Sequence, residues 1–167
     1  MTARILVAGV GNIFLGDDGF GVEVALALSR RQLPENVSVK DFGIRGFDLA
    51  YALLDPWDAV IIVDALPRGQ AAGTLYVVEP DLAAPASAET AINPHGMDPV
   101  QVLNLAASQG TITAQVLVLG CEPQDFGDEL EGRMGLSARV QAAVPEAAKM
   151  ALELADRIAT TKQVSLV

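Results

Sequence analysis

The first loop of the chain reads Gly9-Val10-Gly11-Asn12-Ile13-Phe14-Leu15-Gly16-Asp17-Asp18-Gly19-Phe20-Gly21. Its glycines suggest a phosphate cradle, but its carboxylates argue against one. The third glycine of a dinucleotide fingerprint would fall on Phe14, so that motif fails. Gly11 and Gly16 have P-loop spacing, yet Asp17 and Asp18 stand where that motif needs Lys and Ser or Thr. Two carboxylates at that point call for a cation. One of them can cap the following helix while the other lines a site, because adjacent helix-start residues point in different directions. Asp64 directly follows the apolar run Ala59-Val60-Ile61-Ile62-Val63. A carboxylate at the carboxyl end of an interior strand lies where open α/β sheets bind ligands; the competing role is a turn ahead of Pro67. Asp41 ends another short run, before Phe42-Gly43-Ile44-Arg45-Gly46, with the same two readings. His95 is the only histidine, within Ile92-Asn93-Pro94-His95-Gly96-Met97-Asp98. A first-loop carboxylate, Asp64 and His95 would form an O/O/N set suited to a divalent transition metal with open positions. There is no H-E-x-x-H and no second His, which excludes the helix-borne zinc-peptidase arrangement. Cys121 could act as a thiol nucleophile with His95 as base and Asp64 as orienter. Its plainer role is a small core residue, and it is expected to be dispensable for catalysis.

Those residues must be positioned by alternating strands and helices. Residues 4–8 read as a buried first strand, and Asp17 or Asp18 opens a helix to about Arg31. Strands follow at 37–41, 59–63, 74–79 and 114–119, with helices at 46–54 and 98–108. Two more helices, 137–143 and 145–159, close the chain, with Pro145 in the first turn of the second. Only nine residues separate Asp64 from Thr74, too few for a crossover helix, so the fourth strand should run antiparallel to the third. The Ala- and Pro-rich stretch after it must then return to the upper edge of the sheet, bringing His95 beside the first loop and Asp64. The expected architecture is a single three-layer α/β/α domain over residues 1–159, with a mixed, mostly parallel sheet of about five strands and a frayed tail at 160–167.

Composition narrows the class further. The 167 residues carry 11 Lys+Arg against 21 Asp+Glu, a net charge of −10. That excludes the basic footprint of a nucleic-acid binder. Apolar residues make up 51%, but no run approaches the roughly 18–20 residues of a membrane span. The expectation is a soluble cytoplasmic chain with no membrane insertion and, with one cysteine, no internal disulfide. From the residues alone the reading is a metal-dependent hydrolase or a metal-binding module.

The run Gly9-x-Gly11-Asn12-x-x-x-Gly16-Asp17-Asp18-Gly19-x-Gly21 resembles the N-terminal signature of the hydrogenase maturation proteases, nickel-dependent endopeptidases that process [NiFe]-hydrogenase large subunits. Asp64 after its apolar strand, Asn93-Pro94-His95 and Gly120-Cys121-Glu122-Pro123 match further blocks of that family in the same order. The resemblance covers nearly the whole chain. It implies metal ligands at Asp18, Asp64 and His95, which are then also the catalytic residues. It implies removal of a C-terminal extension from a large-subunit precursor, with nickel supplied by the substrate's own active site and other divalent cations able to stand in for it. Such enzymes are often filed as aspartic-type, though no Asp-Thr/Ser-Gly motif is present. Asp17, Asp41 and Gly43 are the candidate substrate-loop residues; Ile44 and Arg45 differ from the small or hydroxyl residues of many relatives. A monomer is expected. The alternative is a non-catalytic metal-binding chaperone or accessory module of hydrogenase assembly, using the same three ligands; a nucleotide-binding domain is disfavoured by Phe14, Asp17 and Asp18.

Overall fold

The computed structural model describes residues 2–82, 98–128 and 130–165. Five strands form one sheet in the order β2-β1-β3-β5-β4: β1 (Ile5–Val10), β2 (Val37–Gly43), β3 (Ala59–Ala65), β4 (Leu75–Val78) and β5 (Gln115–Cys121). The first four in that spatial order are parallel, and β4 lies antiparallel on β5 at one edge. β1 and β3 are buried along their full length, as continuous apolar runs in a parallel sheet require. Their side chains sort by a period of two. Ile5, Val7, Ile61, Val63, Leu117 and Leu119 pack under α1 (Phe20–Ser29) and α4 (Ala138–Ser165). Leu6, Ala8, Val60, Ile62, Val116 and Val118 pack under α2 (Gly46–Ala52) and α3 (Pro99–Gln109). The three layers follow from those two faces.

Several expectations change in detail. β4 has the predicted antiparallel sense, but it pairs with β5, which lies between it and β3. The short 66–74 connection arches over the end of β5, tied by Leu66 N–H to Cys121 O at 2.8 Å and Gly73 N–H to Glu122 O at 2.9 Å. A reach of two strand spacings, about 10 Å, is well within nine residues. The two predicted final helices are one helix with Pro145 inside it, and it continues through Ser165, past the expected end at 159. The proline costs roughly 3 kcal/mol in a helix interior. A buried stripe running straight across it (Val140, Ala143, Val144, Ala147, Ala148, Ala151, Ala155) offsets that cost. Neither Asp17 nor Asp18 caps α1: both lie in a 3-10 turn, Gly16–Gly19, that precedes it without a side-chain cap bond. Asp64 and Cys121 are the penultimate and last residues of their strands, not the residues after them.

Candidate active site

Two glycines bring the acidic turn onto the sheet. A Cβ at Gly21 would lie 2.0 Å from Val63 O and 2.3 Å from Val10 O, so α1 starts directly on the β1 and β3 backbones. Only a residue without a side chain permits that approach. Gly11 performs the same service one turn earlier: at φ 140°, its Cβ would stand 1.8 Å from Asp18 O. The contact of Gly21 with Val63 sets Asp18, three residues before one, beside Asp64, the residue after the other. β1 pairs with β3 only as far as Val63, so Asp64 emerges where the neighbouring strand turns away.

Among the described residues the two carboxylates are poorly supplied with donors. Asp64 is 5% exposed, and the hydrogen bond described for its carboxylate comes from Ala65 N–H at 2.8 Å. Burial pushes its pKa well above the ordinary value; the Asp18 charge adds to the rise, Ala65 N–H opposes it, and Asp98 raises it further. Asp18 is half-buried and accepts from Asn12 N–H at 2.8 Å. Burial raises its pKa too, and that one bond does not cancel the effect. An ionised carboxylate has room for about four donors. Two such groups, desolvated and mutually repelling, are stabilised by a cation placed between them. Among the described residues no three His, Cys, Asp or Glu side chains are grouped to hold a metal ion, so this part of the site supplies two acidic donors. His95, the third predicted ligand, lies outside the described residues.

Asp17 does something else. It is fully buried, and its oxygens accept from Ser137 N–H at 2.7 Å, Ser137 Oγ at 2.8 Å, Gln124 N–H at 2.8 Å and Asp125 N–H at 3.1 Å. Burial alone would push its carboxyl up, but these four bonds outweigh it and hold the pKa below the ordinary value. Asp17, expected in the substrate loop, reaches inward and pins a neighbouring loop. Asp41 is exposed and closes a tight turn, with Oδ1 accepting from Gly43 N–H at 2.8 Å; Gly43 O in turn accepts from Gly11 N–H at 3.0 Å. The 41–46 loop is thereby fastened to the first loop and exposes Ile44.

The sequence reading missed two acidic residues. Asp98 caps α3, accepting from Val100 N–H at 2.9 Å, and is close enough to Asp64 to raise its pKa. An N-cap directly after the His95 segment was the available signal. Glu122 is buried and accepts from Arg68 N–H at 2.7 Å, Gly69 N–H at 2.8 Å and Tyr76 Oη at 3.2 Å. Burial raises its pKa, but the bonds from Arg68, Gly69, Tyr76 and Gln70 bring it below the ordinary value. It fixes the loop that follows Asp64, which gives the Gly120-Cys121-Glu122-Pro123 turn a structural task. Cys121 itself is fully buried in the core under α4, and burial, with the charges of Asp17 and Glu122, pushes its thiol up to about 12. A thiol in that state is not a nucleophile at neutral pH.

Among the described residues no helix is long and apolar enough to cross a membrane. Residues 22–154 match the hydrogenase maturation protease family, HycI. The hydrogenase 2 maturation protease of Escherichia coli is 33% identical over 151 residues, covering 89% of this chain and 88% of that protein. The hydrogenase expression/formation protein HupD of Rhizobium leguminosarum is 33% identical over 152 residues, covering 90% and 73%. The solved hydrogenase maturating endopeptidase HybD from E. coli superposes with a TM-score of 0.74 at 28% identity, covering 92% of this chain and 93% of that one. An acidic pair set by close glycine contacts at the carboxyl edge of this mixed sheet, and a match over most of the chain, lead to one conclusion: the chain belongs to the hydrogenase maturation proteases.

Proposed function

We propose that this protease removes a C-terminal extension from the precursor of a [NiFe]-hydrogenase large subunit, recognising the precursor by the nickel it already carries. The observation that supports this reading most strongly is the under-supplied pair Asp18 and Asp64, whose raised pKa values mark a place that favours a positive charge. Asp18, Asp64 and His95 are the donors that would face the nickel-bearing end of the substrate; carboxylate and imidazole suit that ion. Held there, the substrate presents its scissile bond to a fixed geometry, and positioning of this kind is worth several kcal/mol of barrier. Hydrolysis requires that water add to the carbonyl carbon and that the departing amine gain a proton. The proton lost by the attacking water supplies that need, so the step balances without a protonated Asp64. On this reading the enzyme acts as a monomer in the cytoplasm.

The test is incubation of the purified chain with nickel-loaded and nickel-free precursor, read by loss of mass from the large subunit. Loaded precursor is expected to shorten, nickel-free precursor to resist, and His95→Ala to leave the loaded form uncut. Equal cleavage of both forms would overturn the role of nickel. Stable binding without any loss of mass would instead favour a non-catalytic metal-handling module.

A further inference from the structure

Residues 123–136 leave β5 at the same sheet edge as Asp64 and cross the first loop before α4 begins. The segment is firmly stitched down. Gly16 N–H donates to Arg133 O at 2.8 Å, Arg133 N–H to Phe14 O at 2.7 Å, and Asp17 N–H to Asp125 O at 3.0 Å. The Asp17 carboxylate holds both ends of it, through Gln124 and Asp125 on one side and Ser137 on the other. At Gly16 a Cβ would come within 2.9 Å of Asp125 O and 3.2 Å of the Phe126 carbonyl carbon, so the two loops touch along their backbones.

A loop so well anchored has the means to bury its apolar side chains, yet apart from Leu136, which packs against the core, it turns them outward. Leu130 is 95% exposed, Met134 65%, Phe14 61% and Phe126 38%. Single exposed apolar residues are ordinary, but four on two loops whose backbones touch mark a place where another molecule can sit. The charges there are mostly of one sign. Among the described residues Asp125, Asp128 and Glu131 stand against Arg133, and the Arg133 guanidinium is already held by Asp125 at 2.7 Å, which leaves Asp128 and Glu131. The exposed apolar residues of α2 and the turn before it, Ile44, Phe47 and Tyr51, differ in this respect. Their neighbouring charges, Arg45 and Asp48, pair with each other at 3.7 Å and leave no net sign to select a partner.

We infer that residues 123–136, together with Phe14, dock the protein substrate away from the bond to be cut, through an apolar segment of the substrate that carries Lys or Arg. The inference rests on the large-subunit precursor being the substrate. Apolar side chains on a pre-ordered backbone contribute affinity at little entropic cost, and a rim of like-signed carboxylates draws in a basic partner and repels an acidic one. The arrangement also couples docking to the site, because Asp17, which anchors the loop, and Asp18, which faces Asp64, belong to one turn.

The experiment measures cleavage of nickel-loaded precursor by the full chain, with Leu130→Glu/Met134→Glu, Met134→Ser and Glu131→Lys as variants. The double variant is expected to raise KM roughly tenfold or more, with the loss falling on KM rather than kcat. Met134→Ser, which adds no charge, shifts KM in the same direction by about threefold. Glu131→Lys lowers kcat/KM and flattens its dependence on ionic strength. All these positions are exposed, so melting temperatures are expected to stay within about 2 °C of the parent. A KM within about twofold of the parent for the double variant, while the parent still cuts, overturns the docking surface and leaves the protease reading standing. A parent chain that cuts no precursor overturns that reading, and the docking proposal with it. A parent dimer that the double variant splits in sedimentation would assign the surface to a second copy and overturn the proposal.

Discussion

Asp17 and Asp18 are adjacent in the chain, share one turn, and do opposite things. Asp17 is sealed from solvent yet ionises more readily than a free aspartate, because four donors converge on it. Asp18, only half-buried, ionises less readily, because desolvation and its one described backbone bond do not balance. Asp64 carries the same imbalance further. What separates the two aspartates is therefore the supply of donors among the described residues and not burial alone. A buried carboxylate with its donors in place rigidifies the fold, whereas one left short of them keeps an affinity for whatever positive charge arrives.

The largest effect that tests this contrast is on activity. Asp18→Asn, Asp64→Asn and His95→Ala are each expected to lower cleavage of loaded precursor by about 10³-fold, near 4 kcal/mol of barrier, with the fold intact by circular dichroism. Asp17→Asn, measured below its melting temperature, should keep most of its rate per folded molecule. If all three site variants cut normally, the acidic pair is structural and the distinction collapses. The next effect is on stability. Asp17→Ala strands the donors of Ser137, Gln124 and Asp125 and is expected to cost about 3 kcal/mol in urea unfolding, more than Asp18→Ala at the next position. Equal costs at the two positions would break the comparison. Gly21→Ala places a methyl 2.0 Å from Val63 O and should cost about 2–3 kcal/mol by lifting α1 from the sheet. Activity per folded molecule should fall as well, because Asp18 moves with the turn.

A smaller effect lies in pH dependence, and its sign differs between the two kinds of aspartate. Asp18 and Asp64 have folded pKa values raised above the ordinary 3.8, so the stability of their protonated forms is full below that value and is lost as pH rises through the raised ones. Asp17 is lowered: its contribution is full above 3.8 and is lost as pH falls through its folded value. Without added metal, the melting temperature of Asp64→Asn relative to the parent should therefore rise as pH increases from about 4. The deficit of Asp17→Asn should instead shrink as the solution is acidified below about pH 4. A gain for Asp64→Asn that falls with rising pH would mean its carboxylate is better supplied than the structure shows. The smallest effect is at Cys121, where Ser should cost about 1–2 kcal/mol for the buried hydroxyl and leave cleavage nearly unchanged. An inactive but folded Cys121→Ser would restore a thiol mechanism.

Much of the fold could be read from local pattern. The continuous β-branched run Val60–Val63 marked β3 because both faces of an interior parallel strand are buried. The failed phosphate motifs around Gly11 and Gly16 changed the sign of the expected ligand from anion to cation. The less legible features are those in which distant segments compete. Pro145 argued for two helices, but the stripe beneath α4 is a tertiary surface that outweighs a local preference. The short 66–74 link limited the direction of β4, not which strand it would meet.

What the sequence determined by itself is the set of chemical parts: acidic residues after glycines, an Asp closing an apolar strand, a single His and a net charge of −10. Residue type and period suffice for that, because strand burial and turn chemistry depend on near neighbours. Only the tertiary structure decided which of two adjacent aspartates became the anchor and which was set beside Asp64. Asp17 meets Ser137 across 120 positions of sequence, and Asp64 feels Asp18 and Asp98 from other elements. A carboxylate's pKa depends on the donors and charges around it in space, and folding alone assembles those.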